Sequence, residues 1–588
     1  MTLVESSGPT RPSPRFEEHM FEHFRLVIAR LIRKTFGASL CAAILFAVIS
    51  VHKLRAQGQQ SSSDQTKIRV TSALVFLDVT VLDKKGHPVM SGLTKEDFTI
   101  TEDKEPQPIF SFEAPETHVI APSAGDSNPD GKAPVTILVL DLLNSSFQDF
   151  AYIRYEVAQF LKAQPPQLAD PTELIVIGNK SLEMLQSYTR SRANLLNALN
   201  HLPAALPYKK MNGAFFWERF VQSLDGLQQI ALQNKGVPGR KNIVWVGHGG
   251  PNIYLDTVVF PAKLEDELKQ YVHSTTNMMV DARISLFVIY PGLPVWNRPF
   301  SFSALQAGVD IGDDDPFAGD VNFGVFVNET GGEFFYNRND LDMEIKQSEQ
   351  MGAGYYTLTY QPQNVDPNGK FRRIRVSLRD PKLHAVTKAG YFAPDKNAPI
   401  NPRQQRMIKL SEAVHSTIPF NALDVSLSDA VRHPDSQTVE FTVQLKSKSL
   451  IFLPAGDGKD AVDLTVAAAS LNEDRGILAA KTEVLTLLST KEDPNQLPQV
   501  ATRFQLTVRV PRNTKSVRVA IEDQDGGRIG AAELDRKTID DAPARDTPRP
   551  QLHPRSPEHV TCQGAALKTK SIARVSLPEM VISCLCVP

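Results

Sequence analysis

The chain has 588 residues, of which 41% are hydrophobic and 22% charged, and its formal net charge is −2. That is a globular composition with room for roughly three or four domains of about 150 residues, and it excludes the basic footprint of a nucleic-acid binder. The four cysteines are Cys41 and, in the last 27 residues, Cys562, Cys584 and Cys586; everything between must fold without disulfides or cysteine-ligated zinc.

At the N-terminus Arg25, Arg30, Arg33 and Lys34 precede an apolar run from Phe36 to Val51. The run is longer than most signal h-regions and shorter than the ~20 residues of a comfortable spanning helix. Lys53 and Arg55 follow, then Ala56-Gln57, a plausible cleavage point. The basic cluster should stay cytoplasmic and send the rest outward. Residues 1–56 therefore read as a signal peptide or an inner-membrane anchor through 36–51. The bulk of the chain is expected outside the cytoplasm, either periplasmic or extracellular, or membrane-anchored. Residues 57–66 form a polar linker.

Alternating apolar residues at Val75–Val81 and Phe98–Thr101, with a Lys84–His87 turn, predict a small β-domain over 67–116. From Val135 the pattern changes. VTILVLD (135–141), ELIVIG (173–178), NIVWVG (242–247) and RISLFVIY (283–290) read as buried parallel strands. Helical stretches lie between them at about 150–163, 192–200, 215–233 and 262–280. This alternation predicts a doubly wound α/β domain over 134–395. Residues 398–412 read as a connector. From 418 to 537 every element reads as strand, which predicts a C-terminal β-sandwich. The tail 538–588 reads as disordered, although its last dozen residues, LPEMVISCLCVP, are apolar.

Several stretches carry a resemblance. DVTVLDKKGHPVMSGLTKEDFTITEDKEPQPIFSF (78–112), VTILVLDLLNSSF (135–147), GRKNIVWVGHGGP (239–251), NETGGEFFYNRNDL (328–341), GAGYYTLTYQP (352–362) and GKFRRIRVSLRD (369–380) with AGYFAP resemble, in this order, the von Willebrand factor A-related proteins abundant in Acidobacteria. The resemblance implies a Rossmann-like A domain on an exported protein used for binding or adhesion. It also implies a place to look for a metal-ion-dependent adhesion site, which holds Mg²⁺ or Mn²⁺ with D-x-S-x-S, a later Thr and a later Asp. A partner's carboxylate completes the shell, because such hard cations demand oxygen ligands.

Asp141 fits the first position of that motif and Ser145 the last, but Leu143 stands where the middle serine belongs. Asn144 and Ser146 offer adjacent oxygens. The later threonine is missing from the Asn212–Ala214 loop, with Thr189 the nearest substitute, and His248 stands where the acidic ligand is expected. Two readings follow: a degenerate metal site on Asp141, Ser145 and Thr189, or a metal-free Asp141 that caps the next element or binds loop backbone. A hydrolase built on the HGG turn would need a G-x-S-x-G elbow, which the chain lacks. Asp310, Asp313, Asp314, Asp315 and Asp320 form an acidic loop with no EF-hand spacing. The reading is a non-catalytic module binding a protein ligand at the C-terminal edge of the parallel sheet. The alternatives are a membrane-anchored envelope scaffold and a hydrolase.

Overall fold

The computed structural model describes residues 74–545, except 119–133, 180–181, 203–215, 252, 255–261, 291–314, 318–319, 336–339, 397–401, 447–449, 451, 457–458 and 491–500. The apolar run 36–51 and the tail beyond 545 lie outside the described residues.

The first four strands are β1 (Val75–Leu82), β2 (Phe98–Glu102), β3 (Glu105–Gln107) and β4 (Ile109–Glu113). Next come β5 (Val135–Asp141), α1 (Phe147–Ala163), β6 (Gln167–Ile177), β7 (Leu182–Ser191), α2 (Arg192–Asn200), α3 (Phe216–Asn234) and β8 (Lys241–Val246). The short β9 (Ile253–Tyr254), then α4 (Ala262–Asp281), β10 (Ile284–Ile289), β11 (Asp320–Val321), α5 (Phe323–Thr330), β12 (Phe334–Phe335) and α6 (Leu341–Ala353) complete the α/β part.

The fold is mixed α/β around a six-stranded sheet ordered β12-β10-β8-β5-β6-β7. Its first five strands run parallel and β7 is an antiparallel edge. The central strands are buried on both faces, which is why they read as unbroken apolar runs. One face packs Leu138, Leu140, Val244 and Val246 against α1, α2 and α6. The other packs Ile137, Val139, Ile243 and Trp245 against α3, α4 and α5. The edge strand β7 corrects the sequence reading, which assigned no strand there. Its mixed burial leaves no clean period to detect.

The expected boundary between a 67–116 β-domain and a 134–395 domain also needs correction. After α6 come β13 (Tyr356–Tyr360), β14 (Phe371–Leu378), β15 (His384–Val386) and β16 (Gly390–Phe392). β13 lies between β1 and β4, and β14 pairs with β2 and β16. Two four-stranded sheets, β15-β1-β13-β4 and β16-β14-β2-β3, thus draw strands from both regions. They share a core of Leu77, Val79, Phe98, Ile100, Tyr356, Leu358 and Ile374. Pairing across some 244 residues or more, as between Glu113 and Thr357, cannot be read from local periodicity.

This β-unit is fastened to the lower, N-terminal end of the parallel sheet by buried polar groups. Arg240 is 1% exposed and donates to Thr80 Oγ1 (2.7 Å) and Ser285 Oγ (3.0 Å). Arg283 pairs bidentately with Asp78. Burial alone would raise the Asp78 carboxyl, but the Arg283 guanidinium overrides it and holds the group below its ordinary range.

The stretch read as a connector is α7 (Pro402–His415), a third correction. Beyond it lie β17 (Val425–His433), β18 (Thr438–Lys446), β19 (Leu453–Gly456), β20 (Lys459–Leu471), β21 (Ile477–Thr490), β22 (Ala501–Arg509), β23 (Ser516–Asp523), β24 (Ile529–Asp535) and the short α8 (Arg536–Asp541). They form one sheet ordered β17-β18-β22 and another built on β19-β20-β23-β24, with β21 along β20. Leu410, Ala413 and Val414 of α7, with Ala467, Ala469 and Ala520, join the same apolar core as Ile243 and Trp245. Arg518 donates to the carbonyls of Ala413 (3.0 Å) and Ile418 (2.7 Å), which locks the helix to the sandwich. Among the described residues no helix is long and apolar enough to cross a membrane.

Candidate functional site

Parallel strands end together at one edge of the sheet, and there Asp141 closes β5. Its side chain is wholly buried. Oδ1 accepts from the Asn144 backbone N–H at 2.9 Å and from Asn144 Nδ2 at 3.2 Å. Oδ2 accepts from Trp245 Nε1 at 3.0 Å, the Gly249 N–H at 2.9 Å and Asn144 Nδ2 at 3.2 Å. Asn144 Nδ2 also lies 3.0 Å from Ser223 Oγ, which donates to the Arg219 carbonyl of α3. Burial pushes the Asp141 carboxyl up to about 6, against the opposing pull of the Trp245, Asn144 and Gly249 donors.

The loop after β8 is shaped to reach this carboxylate. Gly247 has φ +151°, and a Cβ on it would stand 2.2 Å from Asp141 Cβ. Gly249 has φ +68°, and a Cβ there would meet the Phe323 ring at 2.8 Å. Only glycine lets the backbone come this close. Phe323 in turn lies edge-on to Trp245, with centroids 5.0 Å apart.

The structure brings Asp141 and Ser145 into one turn. Ser145 Oγ and Asn144 Oδ1 are buried and have no hydrogen-bond partner. Leu143 is fully buried in the core. Ser146 caps α1: its Oγ accepts from the Asp149 N–H (3.1 Å) and donates to Asp149 Oδ2 (2.6 Å). Thr189 is elsewhere. It pairs with Thr172 on β6, which pairs with Thr136 near the start of β5. That is five residues from Asp141, about 16 Å along the strand, and Thr189 Oγ1 already accepts from the Ser191 N–H. The loop at Asn212–Ala214 lies outside the described residues.

Mg²⁺ or Mn²⁺ does not fit this donor set. All the Asp141 lone pairs face N–H groups, which present positive charge where a cation would sit. The two free oxygens, on Ser145 and Asn144, are neutral. Thr189 is at the far end of the sheet, and His248 stands in the acidic position. Among the described residues no group of three or more His, Cys, Asp or Glu side chains is placed to hold a metal. Of the acidic loop, Asp315 is described in full. It pairs with His273 at 3.0 Å and accepts from the Phe317 N–H.

The rim of the edge is aromatic. His248 stacks on Tyr290 with centroids 4.4 Å apart, and its Nε2 is 3.7 Å from Asp149 Oδ2. Burial holds the imidazole below its ordinary value, opposed by Asp149. Asp149 thus stands between the Ser146 hydroxyl and His248, so that hydroxyl is not poised against the imidazole as an activated nucleophile requires. Phe147, the first residue of α1, is 63% exposed.

Trp245, Ser223 and Gly247 were not among the residues singled out by sequence, and Gly249 was read only as part of the turn. A Gly-His-Gly-Gly turn closing a buried strand was the available signal. That Trp245 would reach Asp141 depends on the β5–β8 register, which no local pattern carries.

No protein-family model matches the chain, and no curated protein matches it. Among solved structures, it is similar to the SpRpn10 VWA domain, with 19% identity over 38% of this chain and 98% of that one and a TM-score of 0.23. It is similar to the PilB minor pilin from Streptococcus sanguinis, with 10% identity, 38% and 62% coverage and a TM-score of 0.23. A third similarity is to the human COPII-coat protein Sec24c, with 11% identity, 69% and 44% coverage and a TM-score of 0.21.

Proposed function

We propose that this chain is an exported, non-catalytic protein-binding module, built on a von Willebrand factor A-like α/β domain that works without a metal. The observation that carries this reading is the saturation of Asp141 by Asn144, Trp245 and Gly249. A metal-dependent adhesion site keeps that carboxylate for a cation. Here it organises the β5–α1 turn and the loop after β8, and it leaves a formed edge with Phe147 projecting from it. An exposed aromatic on an aromatic-rimmed edge, held by the buried Asp141 hydrogen bonds, suits a protein partner, since aromatic anchors dominate such interfaces. Export is supported by the basic cluster and apolar run before residue 56. The mass of the mature N-terminus distinguishes a cleaved signal from an envelope anchor.

The test uses the full chain and two variants, Phe147→Asp at the edge and Val484→Asp at an exposed position on β21. Cross-linking in the producing cells should give one protein adduct with the wild type and Val484→Asp. That adduct should be lost with Phe147→Asp and should survive chelation. An adduct that disappears with chelator, or that Phe147→Asp retains in full, overturns the reading.

A further inference from the structure

The connection from β13 to β14 crosses from one sheet of the N-terminal β-unit to the other, through Asn364-Val365-Asp366-Pro367-Asn368-Gly369. Oxygen-bearing side chains at the first, third and fifth positions and a glycine at the sixth are the opening pattern of a calcium loop. The backbone follows that pattern. Asn364 Oδ1 accepts from the Asp366 N–H at 3.1 Å, and Asn368 Oδ1 accepts from the Lys370 N–H at 3.0 Å. Asn368 Nδ2 donates to Asp366 Oδ2 at 3.3 Å. Gly369 has φ +71° and lies against the Asp395 side chain.

Inside this turn sits a cation that belongs to the chain. Nη2 of Arg372 donates to Asn364 Oδ1 (3.3 Å), the Asp366 carbonyl (3.0 Å) and Asn368 Oδ1 (3.3 Å). Its Nη1 is 3.4 Å from Asp103 Oδ2, in the turn between β2 and β3. The side chain is only 5% exposed, and its Nε has no hydrogen-bond partner. One guanidinium nitrogen therefore gathers three oxygens from alternate positions of one loop, as a metal ion does. The fourth, from Asp103, comes from a loop on the neighbouring strand pair.

We propose that residues 364–369 form a cation-binding loop in which the Arg372 guanidinium is the resident cation, so that the cage is a latent Ca²⁺ site opened only when the guanidinium is withdrawn. The pattern does not continue as an EF-hand would. Arg375 stands at the twelfth position, where a bidentate glutamate belongs. Two of the three loop side chains are uncharged amides. Such a cage is weak, on the order of millimolar for Ca²⁺, and a tethered guanidinium competes with it at a high effective concentration.

The test compares the full-length wild type with Arg372→Ser, which removes the charge and leaves the cage. Thermal unfolding of the wild type should be the same in chelator and in millimolar Ca²⁺. Arg372→Ser should unfold at lower temperature in chelator, recover part of the loss with Ca²⁺ but not with equal ionic strength of Na⁺, and lose that recovery when Asn368→Ala is added. An Arg372→Ser protein indifferent to Ca²⁺ overturns the proposal, as does a wild type whose Tm rises with Ca²⁺ and stops rising in Asn368→Ala. If Arg372→Ser does not fold, Asn364→Asp in the otherwise native chain decides, since its side chain faces the guanidinium and no carboxylate. A carboxylate there should raise the Tm without Ca²⁺, because it faces the guanidinium; a lowered Tm counts against the resident cation.

Discussion

Asp141 illustrates how neighbours set the use of a carboxylate. Leu143 lies in the core, and the partners that face Asp141 are N–H groups. A buried carboxylate is tolerable when several donors face it. Its carboxyl is pushed up to about 6 in the fold, against about 3.9 in the unfolded chain. The native state therefore binds more protons between about pH 4 and 6, so this group's contribution to stability falls as pH rises through that window and is flat above it. Asp141→Asn should remove that slope. It should also turn an amide NH₂ toward N–H donors, costing about 1–3 kcal/mol at neutral pH. Urea unfolding at pH 4.5 and pH 7, with Mg²⁺ or chelator, measures both. The gap to wild type should narrow as pH rises and should not depend on the metal. A metal-dependent gap would put the cation back at Asp141.

At the level of elements, the edge is made by the turn that ends β8. Gly247 approaches Asp141 with a backbone angle closed to side chains, and Gly249 and Gly250 pack under Phe323. Gly247→Ala must push the loop off the carboxylate. The expected cost is about 3 kcal/mol or more, from strain and from the donors that separate. The near-ultraviolet dichroism of Trp245 should change with it, since the indole loses its fixed acceptor. A variant with native stability and an unchanged spectrum would mean the loop is not held by this contact.

At the scale of the molecule, the α/β part and the C-terminal sandwich share a core through α7 rather than meeting across a linker. Leu410, Ala413 and Val414 sit between the two, and Arg475 and Arg518 bind carbonyls at the helix end. Ser416 Oγ donates to Gln229 Oε1 of α3 at 2.9 Å. Residues 74–545 should therefore unfold as one cooperative unit. Leu410→Ala, at a fully buried site, should cost about 2–5 kcal/mol. Hydrogen exchange should rise together in β8 and β20. Faster exchange confined to β20, with a second thermal transition, would show two independent domains.

The parallel strands were legible because burial on both faces writes itself into consecutive residues: VTILVLD and NIVWVG have no other economical reading. The C-terminal strands, with their period of two, were legible for the same local reason. Three features escaped local pattern. The edge strand β7 is half-exposed without clean alternation, so Thr189 stood as the substitute for a missing loop threonine when it is a ladder residue at the other end of the sheet. The helix α7 is polar on average, and its apolar side gains stability only from the shared core it enters. The partners of Asp141 come from the register of β8 on β5. Composition and periodicity are properties of neighbours along the chain, and they decided which segments are buried. Which buried segment lies beside which, and so whether a carboxylate meets a cation or a ring of N–H groups, was decided by contacts between residues a hundred positions apart.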